Sequence, residues 1–121
     1  MDKELLNKVK INFAYGKKEI ELAKNNLGSF YDGKIRAIAR RASGFYIEGL
    51  IKFHEKTNYG NSFMNHLKAI SKDSSIPQDV KNAANFLTMK MTNENLSGTQ
   101  AVEQAEVIIN FCINEFEKFS K

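Results

Sequence analysis

Proline and cysteine are nearly absent from this chain, with one of each in 121 residues, and tryptophan is missing altogether. A single Pro77 leaves the rest of the sequence free to be helical, because proline breaks helix interiors. A lone Cys112 makes no internal disulfide, which points to a reducing, cytoplasmic compartment. Long apolar runs are lacking too, so nothing supplies the roughly 20-residue span of a bilayer crossing. The start, Met1-Asp2-Lys3-Glu4, is charged and lacks the apolar core of a signal peptide. Charge of one sign is scarce: 18 basic against 14 acidic side chains leave a formal net charge of +4. Secreted, membrane-spanning, collagen-like and disordered classes are set aside on these grounds.

What is present is apolar spacing of helical period. Leu6, Val9, Phe13, Gly16, Ile20, Ala23 and Leu27 follow one another at 3, 4, 3, 4, 3 and 4 residues, the seam of one long helix. Gly16 lies in that seam although glycine costs about 1 kcal/mol against alanine there, so another helix should approach closely. Residues 28–33 end the helix, with Leu27-Gly28 as a glycine cap and Asp32 as the cap of the next. A second helix, about 33–56, carries Ile35, Ala39, Ala42, Tyr46, Gly49 and Phe53 on one seam. Ile38, Phe45, Leu50 and Ile51 widen it, and its small residues suit the central helix of a bundle.

Ser62 caps a short third helix with Phe63, Leu67 and Ile70 inward. Pro77, in the first turn, starts a fourth with Val80, Ala84, Leu87 and Met91. After a polar break at 92–98, Ser97 or Thr99 caps a fifth with Ala105, Ile109, Cys112, Phe116 and Phe119. The spacing therefore predicts an all-α chain, an up-and-down bundle of four long helices plus one short one. No long repeat and no linker divides it, so residues 1–121 form one domain. The helical fraction should exceed about two-thirds, well above that of an ordinary globular protein.

Three stretches in this order resemble the HEPN family (higher eukaryote and prokaryote nucleotide-binding helical domains). The first runs from Tyr15-Gly16-Lys17-Lys18-Glu19 through Ala23-Lys24. The second opens on Tyr31-Asp32-Gly33-Lys34 and continues through Arg36, Arg41-Ala42-Ser43-Gly44 and Tyr46-Ile47-Glu48-Gly49-Leu50 to Phe53. The third is Ala101-x-x-x-Ala105-Glu106-x-Ile108-Ile109. The resemblance implies a compact, often dimeric bundle from prokaryotic defence or toxin–antitoxin settings, some members cleaving RNA and others serving as inactive partners. Catalytic members carry Arg-x(4–6)-His. Here the nearest such pair, Arg41 and His54, is thirteen positions apart, so no catalytic residue carries over.

The residues themselves offer few sites. Residues 1–60 hold 12 basic and 7 acidic side chains, whereas 61–121 hold 6 and 7. Arg36, Arg40 and Arg41, beside Lys34, are read either as a site for phosphate, nucleic acid or an acidic partner, or as a solvated helix end paired with Glu19, Glu21 or Asp32. His54 and Glu48 are further candidates. His54 stands about 21 Å along the helix from Arg40 and suits the terminal carbonyls of its helix. Glu48 suits a solvent strip with Lys52 at i, i+4. His66 reads as a surface or boundary residue, and Cys112 as a core thiol. Metal motifs are missing: Glu48 precedes Ile51 and Glu55 precedes Asn58, so no Glu-x-x-His occurs, and no cofactor or metal is implied. The apolar surplus of the second helix and 13 aromatic residues suggest a homodimer. The functional expectation is a non-catalytic HEPN-like binding module for nucleotide, RNA or a protein partner. The alternatives are an atypical ribonuclease with a dimer-interface site and a ligand-free structural adaptor.

Overall fold

The computed structural model describes residues 2–89 and 97–120. Five α-helices make up 79% of them: α1 (Lys3–Asn25), α2 (Asp32–His54), α3 (Phe63–Lys72), α4 (Gln78–Thr88) and α5 (Gly98–Phe119). Met91, residues 92–96 of the polar break and Lys121 lie outside the described residues. The spacing predicts a fourth long helix, but α4 closes at Met89 after 11 residues, so among the described residues three helices are long and two are short.

Local chemistry sets the boundaries. The Asp2 carboxylate accepts from the Leu5 N–H at 2.8 Å, and Ser62 accepts from Asn65. Ser97 and Gln100 form a reciprocal capping box at α5, which satisfies two otherwise orphaned donors. Pro77 is the N-cap of α4. Two expected caps fall elsewhere. Helix α1 closes at Asn26, whose side chain returns to the Leu22 carbonyl, and Gly28 takes the left-handed conformation beyond it. Helix α2 starts after Tyr31 without a side-chain cap, because Asp32 is engaged by α5.

Helix α2 is the hub. Its seam from Ile35 to Phe53 is buried, and so are Ile38, Ser43, Gly44, Ile47 and Leu50 on its other faces. Helix α1 can lie this close because Gly16 and Gly49 lack side chains. A Cβ at Gly16 would stand 2.4 Å from the Tyr46 ring, and one at Gly49 2.5 Å from that of Phe13. Phe63 of α3 rests on Gly44 in the same way.

The register of α3 breaks strict up-and-down alternation. Phe63 meets Gly44, His66 meets Glu48, and Asp73 meets Lys56, so numbers rise together and α3 runs parallel to α2. The chain must therefore climb back along the bundle between them. Left-handed residues at Glu55, Asn58 and Gly60 reverse it, and the buried Tyr59 pins the climb by donating its O–H to Asp73 at 2.7 Å.

Candidate functional site

The four cations at the start of α2 do not converge. Arg36 is only 2% exposed, and its Nη2 donates to the Met89 carbonyl at 3.0 Å. Arg40 donates to the carbonyls of Leu87 and Met89. Both guanidiniums thus meet the carbonyl end of α4, where cations suit the helix dipole. Burial, then the nearby charge of Arg36, lowers the pKa of Arg40 from its ordinary value. Arg41 turns the other way, to Glu19 of α1 at 3.1 Å, one of the carboxylates the sequence offers it. Lys34 sits over the Phe30 ring, 3.8 Å from its centroid. A shared phosphate cradle is therefore not formed. The reason is packing: α4 ends against the face of α2 that carries Arg36 and Arg40.

Glu48 belongs to a network that the sequence conceals. Its carboxylate accepts from the Asn12 amide at 3.3 Å and lies 3.5 Å from His66 Nε2. Lys52 bonds the Asn12 carbonyl rather than Glu48, so the expected solvent strip is instead a junction of α1, α2 and α3. His66 is 4% exposed, not a surface residue. Its Nδ1 lies 2.8 Å from the Tyr59 carbonyl. A carbonyl only accepts, so Nδ1 carries the hydrogen and Nε2 faces the carboxylate. A cleft of about 280 Å³ opens beside the pair, lined by Glu48, Ile51, Lys52, Gly60, Asn61 and His66. Its polar lining is a carboxylate and an imidazole, both held by the scaffold through Asn12 and the Tyr59 carbonyl.

His54 sits at the far end of α2, 3.6 Å from Glu115 of α5, with its ring against Phe53 and Phe119. It meets a carboxylate of another helix rather than the carbonyls of its own. Nearby, Asp73 accepts from Lys56, from the Tyr59 hydroxyl, and from both the N–H and hydroxyl of Ser75. Burial alone would raise the Asp73 pKa, but these bonds from Ser75, Tyr59 and Lys56 hold it well below the usual carboxylate range. Burial, then the bond to Asp73, pushes the Tyr59 phenol far up. Cys112 is fully buried, and its thiol is pushed up by burial and then by Glu115. Among the described residues no three His, Cys, Asp or Glu gather as a metal site. No helix there is long and apolar enough to cross a membrane.

The outer face of α1 is not covered by any other described residues. On the outer side of α1, Ile11 is 55% exposed, Tyr15 56% and Leu22 41%. A depression of about 240 Å³ between Ile11, Ala14, Tyr15 and Lys18 is lined almost wholly by carbon. Tyr15 is held there by stacking on Phe45, which meets Phe63 edge-on. The signal was present in the sequence: Ile11, Tyr15, Lys18 and Leu22 repeat at 4, 3 and 4, a second stripe that the stronger Val9-to-Ala23 seam overshadows. Compared with known proteins, the chain matches no family model, no curated protein and no solved structure.

Proposed function

We propose that this chain is a non-catalytic, HEPN-like helical binding module that takes a protein partner along the outer face of α1. The observation that carries this reading is the exposed Ile11–Tyr15–Leu22 stripe on a helix whose opposite face is already buried against α2. Isolated exposed apolar residues are ordinary, but a stripe at helical spacing is the form in which helices recognise one another. The HEPN-like reading is supported by the order of its three stretches, which fall on α1, α2 and α5. The setting that resemblance implies is a prokaryotic defence or toxin–antitoxin pair, in a reducing cytoplasm that suits the buried, unpaired Cys112.

The internal roles of Arg36 and Arg40 favour a protein partner over nucleotide or RNA at that end of the molecule. They also weaken the ribonuclease alternative, since Arg40 meets α4 and His54 meets Glu115. A homodimer loses its first support as well. The apolar surplus of α2 is covered within one chain by its four neighbours.

The test is capture of the partner from its native host with wild-type and Ile11→Asp chains, beside an RNA incubation. Loss of the partner in the variant with unchanged helical content, and intact RNA throughout, is the expected result. Metal-independent RNA cleavage that disappears in His54→Ala would overturn the proposal, as would equal capture by the Ile11→Asp chain.

A further inference from the structure

Lysines recur along α1 every seven residues, at Lys3, Lys10, Lys17 and Lys24. Seven residues advance a helix by about 10.5 Å and fall about 20° short of two full turns. The four therefore form a slowly winding row. At its end, Lys24 meets Glu106 of α5 at 3.2 Å, which shows within this chain how a carboxylate on a neighbouring helix engages the row. Lys3, Lys10 and Lys17 are exposed and have no ion-pair partner among the described residues, and the same is true of Lys18. The acidic residues around them are largely committed. Asp2 caps α1, Glu4 holds Lys8, and Glu19 holds Arg41, which leaves Glu21. Helical geometry puts Ala14 next to this row and Ile11 and Lys18 about 100° round from it, with Leu22 and Tyr15 on the far flank.

We infer that the occupant of this face is an acidic amphipathic helix, laid along α1 with carboxylates at heptad spacing against Lys3, Lys10 and Lys17. One of its apolar side chains enters the depression bounded by Ile11, Ala14, Tyr15 and Lys18. This rests on the reading of the α1 face as the binding surface and adds the chemistry of the partner. Helix-in-groove recognition uses apolar anchors at i, i+3, i+4 and i+7, and charges beside the seam choose partner and orientation.

Other occupants fit less well. A second copy laid antiparallel about a two-fold axis sets the lysine row against the same row, since each flank then meets itself. A copy laid parallel sets it against Glu4 and Glu19, which Lys8 and Arg41 already hold. Single-stranded RNA is gripped by stacking on aromatic rings and guanidinium planes. This seam offers aliphatic Ile11, Ala14 and Leu22, α1 contains no arginine, and one face of the Tyr15 ring is against Phe45. An anionic membrane needs a broad apolar face, and that of α1 is against α2.

The experiment titrates the full chain with a synthetic helical peptide of about three heptads, bearing leucines on its seam and glutamate at every seventh position. The same peptide with lysine for glutamate, phosphatidylglycerol vesicles and a single-stranded RNA serve as the other probes. Amide chemical shifts report the footprint and the affinity. The expected result is that the acidic peptide perturbs residues around Ile11, Ala14, Tyr15 and Lys18. Its binding should weaken with added salt and fall about tenfold in a Lys10→Glu, Lys17→Glu chain, as exposed charge pairs reversed together predict. If the lysine peptide binds as well as the acidic one, or charge reversal leaves binding unchanged while Ile11→Asp removes it, the acidic partner is wrong and the α1 face still stands. If no peptide perturbs α1, and RNA or vesicles bind with the lysines instead, both the inference and the proposed protein-binding role fall.

Discussion

Asp32 caps a helix other than its own. Its Oδ1 accepts a hydrogen bond from the backbone N–H of Gly98 at 3.0 Å, joining the first turn of α2 to the first turn of α5 across 66 positions of sequence. The carboxylate satisfies one of the donors a helix start leaves unpaired and lies where the α5 dipole favours negative charge.

Asp32→Ala should accordingly destabilise the fold by about 1 kcal/mol, the usual cost of losing a side-chain cap. Asp32→Asn should recover part of the loss, because its amide oxygen still accepts. Urea unfolding of the three proteins checks this. An Asp32→Ala chain as stable as wild type would show that the bond to Gly98 contributes nothing.

Arginine substitutions in α2 should separate sharply. Arg36→Ala removes a side chain buried beneath the end of α4, and should cost roughly 2–4 kcal/mol, the range for emptying a packed site. Arg41→Ala breaks an exposed pair with Glu19 and should cost no more than about 0.5 kcal/mol. Denaturation midpoints decide it. A consequence for binding studies is that only Arg41 can be removed without disturbing the scaffold.

Acid should release the tie around Asp73. Its pKa is lowered in the folded protein, so its contribution is complete above the ordinary carboxylate value of about 4 and is lost as pH falls below that value. Asp73→Asn should therefore be less stable than wild type at neutral pH, with the gap narrowing below about pH 4. Unfolding curves across the acid range test this. A gap that stays constant with pH would show that the carboxylate charge is not what binds Lys56, Tyr59 and Ser75 together.

Cys112 should resist thiol reagents in the folded state. Its side chain is fully buried, and burial keeps it in the unreactive thiol form, whereas attack requires the thiolate. Labelling should run at the rate of opening and accelerate with denaturant. Rapid labelling of the native protein under neutral conditions would show that α5 detaches freely.

Much of the fold was legible in the sequence because burial here follows hydrophobic period. Ile35, Ala39, Ala42, Tyr46, Gly49 and Phe53 are all buried as their spacing requires. Ends were less legible: Leu27 and Phe119 keep the period but lie 38% and 44% exposed, since a seam says nothing of where the neighbouring helix stops. Buried polar residues were missed for a related reason. Asn12 lies three residues from Val9 and four from Gly16, and His66 lies three from Phe63 and four from Ile70. Both keep the register of a core face, but polarity argues against burial until a partner such as Glu48 or the Tyr59 carbonyl is in place. Arg36 needed the end of α4, which the sequence alone does not bring to it. The parallel course of α3 was hidden in the climb between helices, whose direction leaves no trace in apolar spacing.

That climb also decides where the molecule can be cut. Glu55, Thr57, Asn58 and Gly60 are exposed on either side of the buried Tyr59, so a protease meets two short accessible arms around a fixed pin. A nick at Thr57–Asn58 divides the chain into an α1–α2 hairpin and an α3–α4–α5 fragment. The two halves still share the aromatic contact of Phe53 with Phe116, the contact of Glu48 with His66 and the ion pair of Lys56 with Asp73. The protein is in this sense two complementary pieces joined by a single severable strand, and the cut form should remain one particle until denaturant separates it.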